Sequence, residues 1–579
     1  MNRKLPASGA CAVALLGSAF SCQAATPIVC NSLQGRTIAG ATITTAQLNA
    51  ATATLPDHCE VLGKIDERQG LDGQTYAIKL HLRMPTAWNN RFYYSGGGGT
   101  DGNLGDATPA QLGQGYAVVT TDSGHDNALN ISSVAGNDEF GFDPQARDDY
   151  GYRGPALTAS AAKAIIQTYY REPARISYFE GCSEGGREGL MFSQRYPEMF
   201  DGIIAGNPGM DLPKAAVAEA WDSQAFARAA RSLTPFGNPD LASSFTDAEL
   251  ATVSNAILQE CDAKDGLVDG MVLNPQACRF DPATLGPAGT GQLSAKQVTA
   301  LQQVFGGARD SRGKRLYAGW FWDPGIAASG WRIWKIGPLF PFPGNTSLNL
   351  TLGGGALPFI FTTLPNSMTG GTDLHAGTVI TTAGPVPGLP GLADAFVPWV
   401  LSFNMDTDAP KIFARSGAFK ESAMQFMGTS STDYKAFRKN GSKLIVYSGQ
   451  ADPVFSSRYH IRWYDSLVDE TGNLKKTQDF ARLFVVAGMN HCGGGFATSQ
   501  FDAFAALVNW VEHKNAPASL LGTAPAGTPW PGRTRPICAY PDQARYVGSG
   551  SIEDAANFRC VTPDDDGHHH GGGHDGDDD

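Results

Sequence analysis

The sequence predicts an α/β fold built on a mostly parallel sheet covered by helices. From about residue 75 to 210, short β-rich runs alternate with amphipathic helical segments, which is βαβ grammar. The same alternation returns near residue 442 after a long interruption. Gly and Pro number 69 and 35 among 579 residues, which fits many long loops and argues against a helical bundle. The length suits one large domain carrying a big insertion, or two domains.

"YAIKLHLRMP" (76–85), "RFYYSG" (91–96) and "GYAVVTTD" (115–122) read as strands. "GPALTASAAKAIIQTYY" (154–170) spaces its apolar residues by three and four and reads as a helix. "RISYFEG" (175–181) is then a strand, and "EGGREGLMFSQRYP" (184–197) starts a helix. Downstream, "SKLIVYSG" (442–449) and "ARLFVVAG" (481–488) are strands, and "FDAFAALVNWVEH" (501–513) is a closing helix. Between about 211 and 432 the alternation lapses into Gly, Pro and aromatics, including Trp320, Trp322, Trp331, Trp334 and Trp399. Residues 26–210 and 433–562 are therefore expected to form the catalytic domain, with 211–432 inserted as a lid domain.

The first 25 residues read as an export signal: Arg3 and Lys4, the apolar "ACAVALLGSAF", and small residues for cleavage near Ala24 or Ala25. Lipidation at Cys22 is disfavoured because "AFSC" lacks the usual upstream Leu. No later run is apolar enough for long enough to span a bilayer. A secreted or periplasmic protein is expected. Eight cysteines lie beyond the signal, an even number that argues for disulfides in an exported chain. Proximity in sequence pairs Cys30 with Cys59, Cys261 with Cys278, and Cys538 with Cys560, leaving Cys182 and Cys492. The net charge of −12 includes −7 from the aspartates of the tail "DDDGHHHGGGHDGDDD", which reads as low-complexity and solvated. The remainder is near balance, which argues against nucleic-acid binding.

"Gly181-Cys182-Ser183-Glu184-Gly185" matches G-x-S-x-G between a strand and a helix. Small residues two before and two after the serine relieve crowding in a tight turn that exposes its hydroxyl at a helix N-terminus. Ser183 then needs a base, and the base an orienting acid, both following it at strand ends. Asp452 follows "SKLIVYSG" and His491 follows "ARLFVVAG", in the required order. His125 precedes the serine and His460 sits in an expected helix, so neither competes with His491. Cys182 adjoins the nucleophile and Cys492 the base; a bridge between them would pin the two, making Cys182 a brace rather than a thiol nucleophile. The oxyanion hole is expected from the N–H of Glu184 and from the loop "SGGGGTDG" (95–102), with Gly99 the favoured donor and a plain flexible loop the alternative.

"CDAKDGLVDGMV" opens at Cys261 and presents Asp262, Asp265 and Asp269 within eight residues. Carboxylates so close repel unless a hard cation sits among them. Ca²⁺ suits such a cage, completed by carbonyls such as those of Leu267 and Met271, in a structural role. Leu273 at the twelfth position excludes an EF-hand, and a solvated acidic loop is the alternative.

Taken together, "GCSEGGREG", "GMNHCGGG" and the acidic loop resemble the tannase and feruloyl esterase family over about residues 28–562. The resemblance implies an α/β-hydrolase core, the triad Ser183, Asp452 and His491, a His-Cys pair bridged back to the elbow, and Ca²⁺ at Asp262, Asp265, Leu267, Asp269 and Met271. "LPDHCEV" and "GHDNA" look especially like a bacterial branch that hydrolyses a terephthalate monoester. A free carboxylate calls for a cation, most often Arg. Here no Lys or Arg occurs between Lys335 and Lys411, so neutral aromatic esters are expected to be favoured. Trp334 and Phe455 are candidates for stacking on the aromatic ring, with plain core packing the alternative. The expected protein is a monomeric serine esterase acting on a small aromatic ester. A peptidase and a non-catalytic binding protein on the same fold are the rivals.

Overall fold

The computed structural model describes residues 26–130, 135, 137–235, 237–338, 347–365, 380–381, 384–385 and 392–563. The export stretch, the tail from residue 564 and part of the neutral segment before Lys411 lie outside these residues.

Ten strands form one sheet: β1 (Thr37–Ile38), β2 (Ala41–Asn49), β3 (His58–Gln69), β4 (Thr75–Pro85), β5 (Arg91–Ser95), β6 (Ala117–Thr121), β7 (Ile176–Cys182), β8 (Gly202–Gly206), β9 (Lys443–Gly449) and β10 (Ala481–Val486). Their spatial order is β1-β2-β3-β4-β6-β5-β7-β8-β9-β10. From β6 to β10 all pairings are parallel, whereas β1 to β4 pair antiparallel and β4 joins β6 antiparallel. The mostly parallel expectation thus holds for the half that carries the site and is corrected for the other half. The N-terminal hairpins escape a reading by apolar runs because β3, "HCEVLGKIDERQ", alternates buried apolar residues with half-exposed charged ones. An antiparallel sheet open to water on one face permits that pattern.

The central strands need helices on both faces. Helix α1 (Gly154–Tyr170) buries Ala159, Ala162, Ile165, Ile166 and Tyr169 along one stripe and stops at Arg171 in the left-handed region, φ 61°. Helix α2 (Glu184–Arg195) follows β7 directly, and its Phe192 packs against Phe179 of β7 and Phe200 of the loop before β8.

The chain between β8 and β9 leaves the sheet. It includes α3 (Leu212–Ala229), α4 (Asp247–Cys261), α5 (Ala295–Gly306) and α6 (Ser329–Lys335). Thr246 with Glu249 and Ser294 with Gln297 form capping boxes that satisfy the first N–H groups of α4 and α5. These helices bury Phe226, Val253, Ile257, Leu301 and Trp331 in an apolar core that also takes in Val454 and Phe455, just after Asp452. The insertion therefore packs on the loop that carries the acid. Beyond α7 (Ser457–Thr471) and α8 (Ala503–His513) lie the hairpins β11 (Ser519–Thr523) with β12 (Thr534–Cys538) and β13 (Gln543–Tyr546) with β14 (Phe558–Val561). Leu267 and Leu273 of the acidic loop pack against their apolar residues Cys538, Ala544 and Phe558.

Candidate active site

Parallel strands β7, β9 and β10 all end at the same sheet edge, and their C-terminal loops deliver one residue each. Ser183 follows β7 with φ 66° and ψ −121°, a conformation costly for a residue with a side chain. It persists because the turn is held on both sides: the Ser183 N–H donates to the Gly206 carbonyl at 2.9 Å, and its own carbonyl accepts from Arg187 N–H at 3.0 Å. The turn can close because Gly181 and Gly185 lack side chains. A Cβ on Gly181 would lie 2.5 Å from the Gly185 backbone, and one on Gly185 2.8 Å from the Gly97 carbonyl.

The three side chains form a relay. His491 Nε2 lies 2.8 Å from Ser183 Oγ, and Nδ1 lies 2.9 Å from Asp452 Oδ2. Asp452 is fully buried, yet its carboxyl sits below its usual range. Burial pushes it up, but the His491 charge and hydrogen bond, the Asn207 amide and the Val454 N–H outweigh that. The other carboxylate oxygen accepts from Val454 N–H at 2.7 Å and Phe455 N–H at 3.1 Å. Asn207, which follows β8, was missed in the sequence; the only signal is its position after a central strand in "AGNPG". Trp320 was likewise missed as a site residue: its indole N–H donates to the Asp452 carbonyl at 2.9 Å and ties the insertion to the acid. The competing histidines are placed elsewhere. His460 is buried between Ser448 Oγ at 2.7 Å and the Pro208 carbonyl at 2.9 Å, and His125 stacks on Phe140 with centroids 3.8 Å apart.

All four expected disulfides are present, Cys30–Cys59, Cys182–Cys492, Cys261–Cys278 and Cys538–Cys560. Cys182–Cys492 closes 310 residues of chain and ties the residue before the serine to the residue after the histidine. Above them, the rings of Trp334 and Phe455 meet the His491 imidazole edge-on, with centroids 4.8 and 5.4 Å away.

The loop 95–102 crosses the helix that begins at Glu184, whose N–H has no intrahelical acceptor. Within the loop, Gly96 N–H donates to the Glu180 carbonyl, Gly97 to Glu188, Gly98 to Asp101, Asp101 to the Gly98 carbonyl, and Gly102 to the Asp122 carbonyl. That accounting leaves the N–H groups of Gly99, at φ 66°, and Thr100 as the loop's donors for an external acceptor.

The acidic loop is differently arranged from a closed cage. Asp262 accepts from the N–H groups of Asp269 and Gly270 at 3.2 and 2.9 Å, and Asp265 from those of Leu267 and Leu273 at 3.1 and 2.8 Å. Asp269 pairs with Arg535 and accepts from Met271 N–H at 3.1 Å. Among the described residues no three Asp, Glu, His or Cys side chains converge on one metal-sized point. Arg533 also lies against Asp269, donating to its carbonyl at 2.6 Å, so the neighbouring guanidiniums gather on that residue. Burial, with the charges of Asp269 and Asp262, pushes the Asp265 carboxyl up to about 7. The donors are all hard oxygens on a disulfide-closed loop, so the residue set fits Ca²⁺ in chemistry.

Parallel strands ending in a strained serine, a buried acid and a histidine define an α/β-hydrolase with a site built for acyl transfer. The family model for "Tannase and feruloyl esterase" matches residues 59–337 and 399–561, and the chain belongs to that family. The chain is 41% identical over 552 residues to mono(2-hydroxyethyl) terephthalate hydrolase of Piscinibacter sakaiensis, covering 90% of this chain and 87% of that one. It is 27% identical over 504 residues to a probable feruloyl esterase of Arthroderma benhamiae, covering 84% and 82%. The fold matches feruloyl esterase B of Aspergillus oryzae (TM-score 0.66, 21% identity, 90% and 96% covered). It also matches tannin acyl hydrolase of Aspergillus niger (TM-score 0.61, 21% identity, 90% and 92% covered). The protein is a carboxylic-ester hydrolase.

Proposed function

We propose that the protein cleaves aromatic carboxylic esters through an acyl-enzyme on Ser183. The observation that carries this reading is the unbroken relay from Ser183 Oγ through His491 to Asp452. His491 Nε2 takes the hydroxyl proton as Oγ bonds to the ester carbonyl carbon, and the carbonyl π-electrons move to oxygen. The Gly99 and Glu184 N–H groups receive that oxyanion. Collapse of the intermediate breaks the ester C–O bond, and His491 returns the proton to the leaving alcohol. Water then repeats the sequence: His491 takes its proton, hydroxide adds to the acyl carbon, and Ser183 leaves reprotonated with the free acid. The insertion acts as the lid, and Trp334 and Phe455 flank the acyl ring.

Neutral esters are the favoured substrates within this class. Lys335, the last lid cation before Lys411, is buried against Asp222 with its ammonium over the Trp320 ring, 3.7 Å from the centroid, and offers no free charge to a carboxylate. The 41% identity to a terephthalate-monoester hydrolase favours the second reading, in which that monoester is the substrate. Turnover of methyl ferulate, methyl gallate, the terephthalate monoester and a matched p-nitroanilide separates these. The expected order places kcat/KM for a methyl ester at least tenfold above the monoester, with no anilide cleavage. A monoester preference transfers the assignment to the second reading, and anilide turnover comparable with ester turnover sinks the esterase reading.

We also infer that Asp262, Asp265, Asp269 and the carbonyls of Leu267 and Met271 hold a structural Ca²⁺. When bound, the ion neutralises the acidic loop and braces it against the C-terminal hairpins. Chelation is expected to lower Tm by roughly 5 °C, with Ca²⁺ restoring it and Mg²⁺ failing to do so. An unchanged Tm argues for a solvated loop. Four disulfides, and the lack of any helix among the described residues long and apolar enough to cross a membrane, support a secreted or periplasmic location.

A further inference from the structure

Beneath the loop 95–102 lies a group of buried acids that the relay does not use. Glu188, one turn into α2, and Asp101, in the loop itself, come from different elements and are both sealed from water, at 0% and 4% exposure. Each grips the same strip of backbone. Glu188 Oε2 accepts from Gly97 N–H at 2.9 Å, and Asp101 Oδ1 accepts from the next N–H, Gly98, at 2.8 Å. The strip is pressed onto them. A Cβ on Gly97 would sit 2.0 Å from Asp101 Oδ1, and one on Gly96 2.9 Å from Glu188 Oε2.

Ser123, on the loop after β6, stands between the two acids. Its Oγ is 3.4 Å from Glu188 Oε1. Among the described residues, the guanidinium nearest this region, Arg187, is committed to Glu184 at 2.5 Å and to the carbonyls of Gly151 and Tyr150. Two buried carboxylates with no cation of their own to pair with are strongly disfavoured, so a proton must be held between them.

We propose that Asp101 and Glu188 are positioning residues for the oxyanion hole. Glu188 is held protonated and donates to Ser123 Oγ. Asp101 keeps its charge, and the pair clamps the Gly97 and Gly98 peptides so that the following N–H, at Gly99, faces Ser183. The inference rests on the proposed role of Ser183 as nucleophile. The groups facing the pair are mostly acidic or neutral, with Arg187 the guanidinium among them. Glu184 and Arg187 lie on α2, Asp122 follows β6, Tyr94 is on β5, and the Tyr150 hydroxyl donates to the Gly99 carbonyl at 3.3 Å. Burial, then the charges of Asp101 and Glu184, push Glu188 well above the carboxylate range. Burial lifts Asp101 only to about 6, against the pull of Ser123, Gly98 and Arg187. Loss of the Glu188 proton at alkaline pH places a second charge in the cluster and loosens the clamp, which lowers kcat.

The test compares wild type, Glu188→Ala, Glu188→Gln and Ser123→Ala in kcat, KM and pH profile on one methyl ester, with Ser183→Ala as control. Glu188→Ala is expected to lose about 10- to 100-fold in kcat with KM within about threefold, the size of a misplaced oxyanion donor. Glu188→Gln, whose amide accepts from Gly97 and donates to Ser123 without a titrating proton, is expected to recover kcat to within about threefold of wild type. Its alkaline limb should be absent or displaced upward by more than one pH unit. Ser123→Ala keeps both acids and should move the limb while losing less kcat; it carries the test with Glu188→Gln if the alanine variant fails to fold. A Gln variant as impaired as the Ala variant, or alkaline limbs identical in wild type and Glu188→Gln, overturns the inference. Hydrolysis surviving Ser183→Ala would instead overturn the nucleophile assignment.

Discussion

Ser183→Ala is expected to leave the fold and the Cys182–Cys492 bridge intact while lowering kcat by about 10⁴- to 10⁶-fold. The substitution removes one oxygen from a turn whose shape is set by backbone hydrogen bonds to Gly206 and Arg187, and it gives up only the hydrogen bond to His491. Circular dichroism and Tm should therefore match wild type within about 1 °C. Because relay members act as a unit, adding His491→Ala to the variant should cost little more. Residual turnover within a factor of ten of wild type would mean that another group attacks the ester.

The second large effect concerns the bridge. Replacing Cys182 and Cys492 together by Ser is expected to lower both stability and activity. Cross-linking residues 310 apart restricts the unfolded chain, and the entropy of so long a loop amounts to roughly 5–6 kcal/mol in the simple model, although measured losses run about 2–5 kcal/mol. The activity loss has a separate cause. Cys492 itself sits in the left-handed region, φ 58°, directly after His491, so the bridge fixes the backbone that aims the imidazole. Without it, the 2.8 Å contact between His491 and Ser183 rests on the Asp452 hydrogen bond and on packing from Trp334 and Phe455, with the backbone after His491 no longer pinned. Thermal unfolding should shift downward by at least several degrees, and kcat should fall by more than tenfold at a temperature where the variant remains folded. Unchanged kcat in a folded double variant would show that the bridge stabilises the chain without orienting the base.

Much of the site was legible before any coordinates. Ser183 is flagged by the glycines its turn requires, Asp452 and His491 by the strands they terminate, and the Cys182–Cys492 pair by the absence of nearby partners. Each signal is local, or a matter of order along the chain. Asn207, Trp320, Glu188 and Asp101 were not legible as site residues, because their roles depend on which backbone atoms the fold brings beside them. Glu188 lies only five positions past Ser183, yet nothing in "GREG" announces that its carboxyl reaches a peptide N–H donated by a loop 91 residues earlier. Strands β1–β3, before the strand read at 76–85, were not read for a different reason. β2 and β3 alternate buried residues with exposed polar or charged ones, whereas β7 to β10 carry runs of consecutive buried apolar residues.

By itself, then, the sequence determined the α/β grammar, the order serine–acid–histidine and the pairing of the cysteines, since these follow from periodicity, turn sterics and spacing. Only the tertiary structure decided that the three side chains meet at hydrogen-bonding distance, that Asp269 faces Arg535, and that buried carboxyls underlie the glycine loop. Those outcomes depend on long-range packing and desolvation, which act between residues hundreds of positions apart and leave no trace in local composition.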